Sequence, residues 1–279
     1  EVVSGDIRDP DCIKTVIDKC DYVFNLAALI GIPYSYRAPK SYIDTNLIGL
    51  LNLMNAVKEK NNTRIIHTST SEVYGTASFV PMTEEHPLNA QSPYAASKIA
   101  ADQLAISFFK SFNLPISIIR PFNTYGPRQS LRAIIPTIIT QFLDQKIKKI
   151  KVGNINVTRD FNYISDTVNG FISTINNEKI IGETINIGNN YEISIKEILE
   201  IIRKQVNSNK EIRIDKPRIR AHSTEVKRLY SSNKKAKKLL KWEPKFKNRA
   251  GIEKGIKIAI EWYKDPVNMS KFKTDIYNI

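Results

Sequence analysis

The chain has 279 residues, 42% of them hydrophobic, and its 42 Lys and Arg outnumber its 28 Asp and Glu to give a formal net charge of +14. That length can bury a sizeable core, as one large domain or two coupled ones, and no apolar run approaches the roughly 20 residues of a membrane helix. The lysines are dispersed and interleaved with Asn and Ile rather than gathered into one patch, so neither a nucleic-acid nor a membrane partner is expected.

Residues 1 to 3 read as the end of a strand, and Gly5-Asp6-Ile7-Arg8-Asp9 as the turn after it. There is no initiating Met and no signal peptide, so the sequence reads as a fragment. A helix is expected from Pro10 to about Lys19. Cys12 and Cys20 could not staple a chain this long, and their spacing is no strong metal pattern. His67, His86 and His222 are scattered, so a metal site is not expected, and a reducing cytoplasmic setting fits. Asp21 to Ala28 is the next strand, ending in small residues that let a ligand approach the backbone. Asp44 to Lys60 carries Leu47, Leu50, Leu51, Met54 and Val57 at helical spacing. Strand Arg64–Thr68 runs into Ser69-Thr70-Ser71-Glu72. Tyr94 to Phe112 is a long helix, and strand Ile116–Arg120 runs into Pro121-Phe122-Asn123.

Beyond Gly126 the expected elements are helix Ala133–Asp144, strand Lys149–Val152, a helix ending near Asn176, and strand Thr184–Ile187. Ser194 opens a helix to about Val206, with Glu197 completing a capping box. Strand Glu211–Ile214 and helices Asn233–Leu240 and Gly251–Tyr263 follow. Alternating strands and helices imply an α/β fold with a parallel sheet covered on both faces. Ligands of such sheets sit at the carboxyl ends of the strands, where Asp6, Ala27-Ala28, Ser69 to Glu72 and Asn123 cluster. No glycine-rich G-x-x-G-x-x-G turn, which would rest a pyrophosphate on a helix N-terminus, occurs in the sequence. The expectation is that about 35–50 residues carrying it precede residue 1.

Tyr94-x-x-x-Lys98 is weak evidence alone, since that spacing also makes surface pairs. With GDIRD (5–9), NLAA (25–28), TSTSEVYG (68–75), RPFNTYGPRQ (120–129) and RDFNYISD (159–166), the chain resembles the extended short-chain dehydrogenase/reductases. Within them it is most similar to nucleotide-sugar 4,6-dehydratases. RPFNTYGPRQS (120–130), IPTIITQ (135–141) and STEVKRL (223–229) resemble the N-acetylglucosamine-nucleotide dehydratases that start legionaminic-acid synthesis.

The resemblance implies a Rossmann-like doubly wound sheet over residues 1–125 that binds NAD, and a smaller α/β lobe over 126–279 that binds substrate, with some segments returning to the sheet. It implies a homodimer through the helices 44–59 and 94–112, although their apolar faces suit burial against their own sheet equally well. It implies UDP- or GDP-N-acetylglucosamine as substrate.

A phenol with a pKa near 10 is a poor base at neutral pH. Lys98 and a nicotinamide cation would favour its phenolate, letting Tyr94 take the sugar 4-hydroxyl proton while Thr70 hydrogen-bonds that oxygen. Glu72 is placed to remove the C5 proton. Ser71 stands where many such enzymes have an acidic Asp, and would relay a proton or hold water.

The resemblance also puts Asp6 and Ile7 near the adenine, and Leu26, Ala27, Ala28, Thr68 and Ser69 along the cofactor, with Tyr94 and Lys98. Pro121 and Asn123 flank the nicotinamide. Asn123, Arg132, Arg159 and Arg220 are the candidates for the substrate's diphosphate and nucleotide, Arg through its forked donors. Competing readings are a nucleotide-uronate decarboxylase, a 4-epimerase and a non-catalytic nucleotide-sugar binder.

Overall fold

The structure is a computed structural model, and it describes residues 1–18, 20–60, 63–221 and 224–274. Lys19, His222 and Ser223, which the sequence reading invoked, lie outside the described residues.

Helices α1 (Pro10–Ile17), α2 (Ile32–Ser35), α3 (Pro39–Tyr42), α4 (Gly49–Lys60) and α5 (Pro93–Phe112) accompany strands β1 (Tyr22–Asn25), β2 (Arg64–Thr68) and β3 (Ile116–Pro121). The second half adds β4 (Asn123–Tyr125), α6 (Ile134–Leu143), β5 (Lys149–Val152), β6 (Thr158–Tyr163), α7 (Ile164–Ile172), β7 (Thr184–Ile187), β8 (Glu192–Ser194), α8 (Ile195–Val206), β9 (Glu211–Ile214), α9 (Lys234–Leu240), α10 (Asn248–Lys264) and α11 (Pro266–Met269).

The central sheet runs β1-β2-β3-β7 and is parallel throughout, with Phe24 opposite Ile66 and His67 opposite Ile118. Its strands are apolar on both sides because helices cover both faces. Ile65 packs with Leu50, Met54, Val57, Ala101 and Ala105 from α4 and α5. Its neighbour Ile66 points the other way, among Ile119, Ile185, Ile187, Leu240 and Trp242. A separate core joins α6, α8 and α10 to β5 and β6 through Ile138, Ile150, Phe161, Ile198, Ile202 and Ile256.

Residues 1–3 are not a strand; they are exposed. No strand among the described residues lies beside them, and an unpaired segment has no ladder to join. The helix expected from Asp44 is interrupted: Ile43–Ile48 is a π-helical turn feeding α4. No helix among the described residues is long and apolar enough to cross a membrane.

Candidate active site

The site is built where β2 stops. Strand residues through His67 are fully buried, and the polar run after Thr68 ends the ladder. Thr70 caps a single 3-10 turn, Ser71–Tyr74, its hydroxyl accepting from the Glu72 amide at 3.2 Å. Gly75 leaves the turn at φ 63°, and a Cβ there would sit 2.5 Å from the Asn89 carbonyl, so only glycine fits. Opposite, Ser92 caps α5 by accepting from the Ala95 amide at 3.1 Å, with Pro93 in the first turn. This sets Tyr94, Lys98 and Asp102 on one face of the helix, four residues apart.

The two segments meet. The Thr70 side chain hydrogen-bonds the Tyr94 phenol, and the Glu72 carboxylate is near enough for its charge to act on it. Both Thr70 and Tyr94 are more than nine-tenths buried. Burial raises the Tyr94 phenol above its ordinary value, outweighing the Thr70 hydrogen bond. The depression expected from Lys98 is therefore not present in the protein alone. Lys98, 3% exposed, donates to the Thr68 carbonyl at 2.5 Å. Burial lowers its pKa to about 8, against the opposing charge of Asp102. Ser71 is 2% exposed, buried like its neighbour Thr70.

Glu72 is half-buried and lines a narrow space with Gln91, Ser92, Ala95, Arg220 and Thr224. Arg159 lies close enough for its charge and that of Glu72 to interact. It is itself buried, with Nη1 donating to the Thr158 carbonyl at 2.8 Å and Nη2 3.6 Å from Glu225. Its guanidinium is thus partnered within the protein. Arg220 is half-buried beside it, and Arg132 is exposed near Gly31 and Tyr42, whose ring packs edge-on against Tyr94.

Leu26, 65% exposed, and Ala27 form an open apolar shelf at the end of β1, with Ala28 half-buried beside them. Thr68 Oγ1 at the end of β2 and Asn123 Oδ1 at the start of β4 are buried without a hydrogen-bond partner, and Pro121, the last residue of β3, is half-buried. Ser69 turns away from this surface and gives its hydroxyl to Asp102 at 2.8 Å. Asp6 lies apart, in an open groove of about 450 Å³ with Arg8, Asp9, Asp44 and Ile48. Arg8 hydrogen-bonds its carboxylate and holds its pKa down to about 2. Ile7 faces inward, where a Cβ on Gly49 would meet it at 2.7 Å.

The sequence reading missed Asn46. In the π-helical turn it is 3% exposed. Its side chain accepts from the Leu29 amide at 2.8 Å and donates to the Leu29 carbonyl and to Ser97 Oγ, each at 3.0 Å. It ties the loop after β1 to the helix between Tyr94 and Lys98. Asn46 is one of three asparagines, with Asn52 and Asn55, in the helical pattern of residues 44–60, and only its burial marks it as an amide that must be paired.

A family model described as GDP-mannose 4,6 dehydratase matches residues 1–255. A UDP-glucuronate 4-epimerase from Thermodesulfobacterium geofontis is 32% identical over 271 residues, which cover 95% of this chain and 80% of that protein. A dTDP-D-glucose 4,6-dehydratase from Homo sapiens is 31% identical over 269 residues, covering 94% and 75%. The solved dTDP-glucose 4,6-dehydratase from Bacillus anthracis, in complex with NAD, superposes with a TM-score of 0.82 at 29% identity, covering 95% of this chain and 79% of that one.

Proposed function

The chain belongs to the GDP-mannose 4,6-dehydratase-type branch of the extended short-chain dehydrogenase/reductases, the NAD-dependent nucleotide-sugar dehydratases and epimerases, and from that membership we propose that it is a 4,6-dehydratase acting on UDP- or GDP-N-acetylglucosamine. The observation that carries the reading is Glu72. A 4-epimerase has no step that needs a carboxylate at this place, and here one stands in the cleft beside the Thr70–Tyr94 pair.

The surface suits part of a dinucleotide. Its apolar shelf at Leu26 to Ala28 and the two partnerless oxygens of Thr68 and Asn123 offer a flat face and polar anchors. The glycine-rich turn that would hold a pyrophosphate is not in this sequence. NAD, when bound, supplies the place where the sugar's C4 hydrogen goes and from which it returns to C6.

The chain's own residues move the protons. Tyr94 takes the proton of the 4-hydroxyl, and Thr70 holds that oxygen. Lys98, its ammonium already in place under the strand end, steadies the phenolate once formed. The 4-ketone acidifies the C5 hydrogen, and Glu72 removes it as a general base. Glu72, now protonated, gives that proton to the C6 hydroxyl, which leaves as water while the C5=C6 bond forms. A serine hydroxyl is a far weaker acid than a protonated carboxyl, which supports giving both transfers to Glu72 rather than to Ser71. Arg220 is the cation best placed for the substrate's diphosphate, with Arg159 behind it held by Glu225. The proposal includes a homodimer through the exposed Ile48 and Phe112 on the two long helical segments.

Incubation of the protein with NAD and either sugar nucleotide, followed by mass spectrometry, tests the reading. Loss of one water supports it. A C4-inverted product of unchanged mass, carbon dioxide from a uronate, or binding without turnover would each contradict it.

A further inference from the structure

Behind the site lies a buried charge pair that the mechanism does not use. Asp102 is 0% exposed and Arg120 is 3% exposed. Arg120 Nε and Nη2 both donate to Asp102 Oδ2, at 3.0 and 2.8 Å. The same oxygen accepts from Ser69 Oγ at 2.8 Å. Arg120 Nη1 donates to the Tyr74 hydroxyl at 3.0 Å, and its guanidinium lies 5.0 Å from the centre of that ring. Tyr74 in turn donates to Asn186 Oδ1 on β7 at 2.7 Å. Ser69 is the residue before Thr70, and Tyr74 stands two after Glu72. One ion pair therefore grips both flanks of the tripeptide that faces the cleft.

Burying such a pair contributes little net stability, because desolvation offsets most of the attraction, and apolar residues of the same size often serve as well. Stability alone is a weak reason for two charges here. Geometry is a better one: a short 3-10 turn has few hydrogen bonds of its own, and Glu72 must be held within a fraction of an ångström to act.

We propose that Asp102 and Arg120 are positioning residues that fix the Thr70–Glu72 tripeptide against the substrate by tethering Ser69 on one side and Tyr74 on the other. The inference rests on the reading of Thr70 and Glu72 as the groups that touch substrate. Both charges sit within the same polar cluster as Lys98 and His67, whose Nε2 is 3.7 Å from Asp102 Oδ1.

Ser69→Ala and Tyr74→Phe each cut one tether and leave the ion pair whole, so they keep the proposal testable where Asp102→Asn fails to fold. The first readout is amide hydrogen exchange. It is expected to rise about tenfold at residues 70–75 in each variant, with the amides of β6 and α8 unchanged. The second is steady-state turnover, where kcat is expected to fall about tenfold with KM unchanged. Exchange that is unaltered, or that rises evenly over the whole molecule, would overturn the proposal, as would a raised KM at constant kcat. If the unaltered protein turns over no nucleotide sugar, the functional reading fails, and exchange alone still decides whether the tethers hold the turn.

Discussion

Replacing Lys98 by Met should make the protein more stable at neutral pH while abolishing turnover. The folded protein lowers the pKa of Lys98 from its ordinary 10.5 to about 8, chiefly by burying it. At about 1.4 kcal/mol per tenfold change in proton affinity, that amounts to about 3 kcal/mol. Below pH 8 the ammonium is charged in both states and the whole cost is present. Between pH 8 and 10.5 the unfolded chain holds a proton the folded protein has released, so stability rises with pH across that window. Above it the cost is gone. Methionine has no proton to lose, so Lys98→Met should exceed the unaltered protein by up to about 3 kcal/mol at pH 7. The loss of the Thr68 carbonyl contact reduces that gain. The difference between the two proteins should close as the pH approaches 10.5. Urea unfolding of both at several pH values measures it. Parallel stability curves over pH 7 to 10 would refute the argument, and with it the idea that the ammonium is kept under strain for chemistry.

Glu72→Gln should lower dehydration by about 10²- to 10⁴-fold, while the C4 oxidation, followed by absorbance of the reduced nicotinamide, persists. Asn46→Ala removes one buried and two part-buried hydrogen bonds and leaves the Leu29 groups unpaired, a cost of about 2 kcal/mol readable by denaturant unfolding. Asp160 is fully buried and accepts from the amides of Asn189, Tyr191 and Ser231, at 2.7, 3.3 and 3.0 Å. Asp160→Ala strands all three and should cost at least about 3 kcal/mol. A loss under about 1 kcal/mol would mean that the loops around β6 rearrange to satisfy themselves.

Some elements were legible because their sequence signal is local. Arg64–Thr68, Lys149–Val152, Thr184–Ile187 and Glu211–Ile214 fall at the expected bounds, each a short run with two β-branched aliphatic residues, isoleucine or valine. The Ser194–Glu197 capping box forms as its spacing implies. Strands β4 and β8 are three residues each and too short to show a period; their partners come from far along the chain. Ahead of the helix that ends near Asn176 the sequence pattern shows no strand, yet β6 forms there and is buried from Arg159 onward, because β4 and β8 flank it. The π-helical turn was hidden because its spacing differs little from that of an α-helix over six residues.

At the site, the pairing of Thr70 with Tyr94 follows the motif. What the motif could not show is where side chains turn once packed. Ser69 faces Asp102 rather than the cofactor surface. Arg159 is held by Glu225, and Asp6 by Arg8. In each case a partner close by in space claims a group that the linear pattern left available.

The most direct test of the account is conversion in heavy water. Glu72 removes the C5 hydrogen of the sugar, which departs with the leaving water, so the hydrogen later restored at C5 must come from solvent. UDP- or GDP-N-acetylglucosamine converted in D2O should lose one water and gain one deuterium at C5. A product that keeps its oxygen and carries no deuterium would contradict the account and make the protein an epimerase.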